Sequence, residues 1–168
     1  MTFSKCPMDK QSLIKKYKLH PHPEGGFFFE TYRSEEKCTP KSIGEERSLS
    51  TAIYFLLESQ NFSAFHRVQS DELWHHYYGA TIAIHVIDED GNYKKKLLGS
   101  DMMDGALFQQ LVPAGSWFAS EVHSNGDFAL VGCTVSFGFD FKDFEMADLK
   151  LIEKYPQHQA ILSRLIRN

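Results

Sequence analysis

Between Ser50 and Phe137 the chain breaks into short apolar runs separated by polar turns, and nothing else in it limits the fold so tightly. TAIYFLL (51–57), SAFHRV (63–68), ELWHHYYG (72–79) and TIAIHVID (81–88) follow one another. KKKLLGS (94–100), FQQLVP (108–113), SWFASEV (116–122) and FALVGCTVSF (128–137) complete the series, and FFFETYRS (27–34) precedes it. Asp90-Gly91 and Asn125-Gly126 are hairpin turn signals, because a two-residue turn needs residues that accept positive φ. Strands arriving at spacings of roughly 8–12 residues predict an all-β sandwich or barrel. A jelly roll of this kind closes on itself and removes its sheet edges, and its mouth is a natural ligand site.

The flanks read differently. Residues 9–18 place Leu13, Ile14 and Tyr17 at helical spacing, with Asp9 as the cap. His20 to Gly26 (HPHPEGG) forbids regular structure, and 35–47 is a polar loop. From Asp143 onward, Leu149, Ile152, Ile161, Leu162, Leu165 and Ile166 fall at helical spacing, broken by Pro156. The 168 residues suit a single domain, with a barrel over about 26–140 and a helical tail over about 143–168.

Composition excludes several classes of function. Net charge is −4 with no basic run, which argues against nucleic acid as a partner. No apolar stretch approaches the roughly 20 residues of a membrane span. Met1 to Lys10 lacks the apolar core of a signal peptide. Cys6, Cys38 and Cys133 lack metal-site spacing and read as free thiols in a reducing cytoplasm. Phe alone occurs 14 times, which suits strands around an apolar pocket.

His66, Val68, Glu72 and Gly79 fall where the first cupin motif carries two histidines, a glutamate and a glycine. Pro113, Gly115 and Phe118 fall on the second motif, with Phe118 where its histidine belongs. The chain thus resembles the cupins, whose fold is the double-stranded β-helix. The wider strings HPEGGFFFETYRS, SAFHRVQSDELWHHYYG, VPAGSWFAS and LVGCTVSFGFDFKDFEMA resemble one subfamily more closely, over about 19–148. That subfamily is similar to the dTDP-4-dehydrorhamnose 3,5-epimerase jelly roll. The resemblance implies a fold and, from cupins of this type, a homodimer paired through a sheet; it implies no particular reaction. The metal ligands of the cupin motifs map onto His66 and Glu72, while Val68 and Phe118 replace the other two. No cofactor is therefore expected; if a metal were held, His66, Glu72 and His76 would be its ligands.

Strand parity refines the candidate site. If Glu72 points inward, so do Trp74, His76 and Tyr78, while Leu73, His75 and Tyr77 point outward. His66 and Val68 share the inward face. His66 and Glu72 are then an acid–base pair, a clamp for a polar ligand or a structural ion pair. In the enzymatic reading His66 is the base and Tyr32 or Tyr78 the acid. Arg33 suits a carboxylate or phosphate at the barrel mouth, or a salt bridge with a nearby glutamate. Trp74, His76, Tyr78 and Phe118 are ligand-binding candidates, with Phe28, Phe65 and Trp117 as further aromatic linings or core. Glu24 and His22 cap the turn or line the mouth. His85 is read as solvated and Cys133 as buried. The small ligand is a sugar, nucleotide-sugar or keto acid. Three functions compete: a metal-independent isomerase or epimerase, a non-catalytic binding or sensing protein, and a metal enzyme with rearranged ligands.

Overall fold

The computed structural model describes residues 8–123 and 126–167. In chain order the elements are α1 (Lys10–Tyr17), β1 (His20–Pro21), β2 (Phe27–Arg33), β3 (Lys37–Cys38), β4 (Arg47–Ser48) and β5 (Thr51–Glu58). Then come β6 (Phe62–Arg67), β7 (Asp71–Gly79), β8 (Ile82–Ile87), β9 (Tyr93–Leu98) and β10 (Gln109–Val112). β11 (Trp117–Val122), β12 (Phe128–Ser136), β13 (Glu145–Met146), α2 (Lys150–Lys154) and α3 (Gln159–Leu165) finish the chain. A six-stranded sheet runs β1-β2-β5-β12-β7-β10 and a five-stranded sheet runs β13-β6-β11-β8-β9. This is the mainly β jelly roll that the strand rhythm predicts. Among the described residues no helix is long and apolar enough to cross a membrane.

The alternation of side chains explains the layers. Phe55 and Leu57 of β5, Val131 and Cys133 of β12, and Ile82, Ile84 and Val86 of β8 point between the sheets, with Trp74 and Phe118. Leu56 and Leu130, one step out of phase, pack beneath α1 with Leu13. Asp9 caps α1, its carboxylate accepting from Ser12 N at 2.9 Å. On the far side, Phe65, Ile87, Trp117 and Ala119 pack beneath α2 and α3 against Leu151, Tyr155, Leu162 and Leu165. Each large side chain so buried contributes about 1.5–3 kcal/mol. Phe65 and Trp117 are thus core beneath the helical tail. The same cover corrects the solvated reading of His85. Both faces of β8 are buried, and His85, 3% exposed, bonds Tyr93 Oη at 2.7 Å and Glu121 Oε1 at 3.1 Å.

The Asp90-Gly91 turn joins β8 to β9, with Gly91 at φ 82°. Asn125 of the second turn lies outside the described residues, as does Cys6; Cys38 and Cys133 are free thiols. The expected loop 35–47 contains β3, and the first residue of β4, which pair with each other. Arg47 of β4 is buried and grips Asp143 through Nε and Nη2, at 2.7 and 2.8 Å. This ties residues 45–48 to the segment that follows β12.

Candidate functional site

A cavity of about 270 Å³ opens within the barrel. Its apolar walls come from Phe28, Ile53, Val68, Val135, Phe139 and Phe141. Its polar groups are His22, Glu24, His66, Glu72 and Cys133, with Glu30, Arg33, Thr51 and Asp140 also bordering it.

His66 stands on β6 opposite Phe118 of β11 and Met146 of β13. The Phe118 ring, 4.1 Å from the imidazole by centroid, backs it. Glu72 stands on β7, paired with Val112 and Val135 on either side. Glu24 comes from the loop before β2. Gly25 lets that loop turn: at φ 114° it lies so close to Phe62 that a Cβ would sit 2.1 Å from the Phe62 carbonyl oxygen. Ala64 N donates to the Glu24 carbonyl at 2.8 Å, holding the loop against β6.

The hydrogen bonds fix where protons can lie. His66 Nδ1 is 2.7 Å from the Ala64 carbonyl, which only accepts, so Nδ1 donates. His66 Nε2 lies 3.1 Å from Glu24 Oε2. One proton must therefore sit between these two atoms. Glu24 Oε1 accepts from Ser63 Oγ at 2.9 Å. Glu24 N donates to His22 Nδ1 at 3.3 Å, so that nitrogen also presents a lone pair. Burial pushes the Glu24 carboxyl up and the His66 imidazole down. Both shifts disfavour the ions. Burial also raises Glu72, to about 7; His66 opposes that rise and Glu24 adds to it. A carboxyl of this kind is near half ionisation at neutral pH.

Of the candidates from sequence, His66 and Glu72 share the cavity. Arg33 borders it, but its fork is filled by Glu30, at 2.8 and 2.7 Å, and it donates to the Phe139 carbonyl at 3.1 Å. Phe118 and Trp74 lie behind the polar end within the core, ring centroids 6.3 Å apart. Tyr32 does not reach the cavity. A register shift between Glu30 and Tyr32 turns Tyr32 outward, 54% exposed. His76 and Tyr78 are likewise corrected. The register of β7 against β12 shifts at these residues, and both border an outer cleft with Met8, Tyr77 and Phe108. His76 Nε2 bonds the Ala80 carbonyl there at 3.1 Å.

That placement bears on metal. Val68 and Phe118 offer no donor atoms, His66 Nε2 faces Glu24, and His76 is elsewhere. Among the described residues no group of three or more His, Cys, Asp or Glu is arranged to hold a metal ion. The residues present do not fit the metal centre of the cupin motifs.

Counting residues along strands missed the contributions of loops. The sequence places Glu24 and His22 either at the turn or at the mouth, and in the fold they form the polar wall. Glu30, Phe139, Asp140 and Phe141 were not singled out. The alternating phenylalanines of FGFDF (137–141) were the available signal.

A closed antiparallel jelly roll with a polar-ended cavity at its centre places the molecule among the cupins. The chain belongs to the family described as Cupin superfamily (DUF985), Cupin_5, whose model matches residues 11–147. It is 32% identical over 160 residues to an uncharacterized protein of Saccharomyces cerevisiae, covering 84% of this chain and 79% of that one. A hypothetical protein from Leishmania major superposes with TM-score 0.90 at 37% identity, covering 96% of this chain and 100% of that one. A protein from Shewanella oneidensis superposes with TM-score 0.87 at 40% identity, covering 95% and 98%.

Proposed function

We propose that the barrel cavity binds a small metabolite and moves a proton on it, as a metal-independent isomerase or epimerase. The observation that carries this reading is Glu72 set in an apolar-walled cavity with the Glu24–His66 pair, its carboxyl pushed up to about 7 by burial. A general base works best with a pKa near the working pH. Two acid–base groups with separated protonation states are the usual means of running both halves of a proton transfer. The Glu72 carboxylate takes the proton from a carbon next to a carbonyl. The proton held by Glu24 and His66 passes to the carbonyl oxygen, giving an enol. On a substrate with a hydroxyl on that carbon the enol is an enediol; the first proton then goes to the former carbonyl carbon, and the second hydroxyl gives its proton to the Glu24–His66 pair, which completes an isomerisation. The acid and base roles fall to Glu24–His66 and Glu72, since Tyr32 and Tyr78 lie outside the cavity.

One observation favours a binding protein without turnover. Both nitrogens of His66 already have partners in the protein, so the imidazole has no free atom for a substrate. Two steps separate the readings. Native mass spectrometry of purified protein identifies a co-purifying metabolite, which is then incubated with the protein in deuterium oxide. The isomerase reading expects solvent deuterium at one carbon, and a loss of roughly 10²-fold or more in Glu72→Gln. Binding with no deuterium incorporated overturns it in favour of the binding protein.

A further inference from the structure

The ionisable groups that border the cavity are mostly acidic. Four carboxyls border it, Glu24, Glu30, Glu72 and Asp140, against the single guanidinium of Arg33. Arg33 spends its fork on Glu30. Both histidines turn lone pairs towards Glu24, and burial lowers them, so neither supplies a standing positive charge. A carboxylate or phosphate entering this cavity would meet Glu72 and, among the described residues, no free cation. The remaining wall is aromatic. Phe139 and Phe141 pack edge to face, centroids 5.0 Å apart, and Phe28 also lines the cavity, packed against His22 with centroids 4.5 Å apart. Aromatic faces attract cations within about 6 Å of the ring centre, and more strongly where water is excluded.

We propose that the ligand is a small organic cation, a molecule carrying a protonated amine. It sits with its ammonium towards Glu72 and its apolar body against Phe28, Phe139 and Phe141. The inference rests on the cavity being a small-ligand site; an ammonium held on Glu72 occupies the carboxylate that the isomerase reading uses as base, so it goes with the binding-protein reading. Carboxylate and ring together suit an ammonium: the carboxylate accepts its hydrogens and the rings cover its other side. The cavity of about 270 Å³ accommodates a molecule of around a dozen heavy atoms or fewer, which excludes a nucleotide-sugar from lying wholly inside.

The test uses the full chain and three probes of one shape: benzylammonium, benzyl alcohol and benzoate, titrated near neutral pH by ligand-observed NMR. Benzylammonium is expected to bind at least tenfold more tightly than benzyl alcohol, with benzoate weakest. Glu72→Gln is expected to bring the first two affinities close together. Asp140→Asn, at a half-buried position, is expected to narrow the same ratio less and guards against a folding defect in the first variant. Benzoate or benzyl alcohol binding as tightly as benzylammonium overturns the charge selectivity and leaves the small-ligand reading standing. Failure of all three probes to bind at millimolar concentration overturns both.

Discussion

Glu72 carries a consequence for stability as well as for chemistry. Its carboxyl titrates at 4.5 when exposed and at about 7 in the fold. The folded protein therefore binds more protons than the unfolded chain between those values. The stability tied to this group is whole below about pH 4.5 and is lost as pH rises through about 7. The difference is on the order of 3 kcal/mol. Glu72→Gln, which cannot ionise, should melt several degrees above the parent protein near pH 8, with the gap closing near pH 5. Thermal melts across that range check it, and a gap independent of pH contradicts it. At this scale the sequence was partly legible. His66 and Glu72 were marked by motif and parity together. Tyr32, His76 and Tyr78 were misplaced because an irregularity in a strand reverses parity, and a count by twos cannot see it. Glu24 was ambiguous because its loop has no period, and its position depends on Gly25 meeting Phe62.

The segment from Phe137 to Asp148 shows what an element without regular structure contributes. It brings Phe139 and Phe141 to the cavity and is held by Arg47 on Asp143 and by Arg33 on the Phe139 carbonyl. The Arg47 and Asp143 side chains are only 5% and 7% exposed. Removing one partner leaves a buried charge unmatched, at a cost of about 3–5 kcal/mol. Asp143→Ala should lower the melting temperature markedly and speed amide exchange across residues 137–148. Arg47→Met with Asp143→Leu should recover much of the melting temperature, because a buried pair replaced by apolar groups is often neutral. Similar exchange in Asp143→Ala and the parent protein would show that the ion pair does not hold the segment. Long elements were legible: β5, β7, β8 and β12 begin and end within about two residues of their predicted bounds. β1, β3, β4 and β13 were not, because two residues carry no periodicity and their pairing is set by distant chain.

At the scale of the molecule, the sheet edges bear on how two copies would meet. β9 carries Lys94, Lys95 and Lys96 along its edge, and such charges discourage pairing. β10 is tied across to β9 of the other sheet, Lys96 Nζ donating to the Leu111 carbonyl and Gln110 Nε2 to the Leu97 carbonyl. β13 is two residues long. β2 differs from all of these. β1 pairs only with Phe27 and Phe28, so among the described residues no strand lies beside the outer edge of β2 from Phe29 to Arg33. Glu30 and Arg33 neutralise each other there, and Tyr32 is exposed. We expect a homodimer that joins two β2 edges antiparallel across a two-fold axis, extending the six-stranded sheet through both copies. Sedimentation velocity at tens of micromolar should give twice the mass of the chain. Tyr32→Lys would set two like charges near the axis, where opposed like charges destabilise strand pairing. It should sediment as a monomer while unfolding as one cooperative unit. A parent protein with the mass of a single chain contradicts the expectation outright, and a Tyr32→Lys variant that stays dimeric moves the contact away from β2.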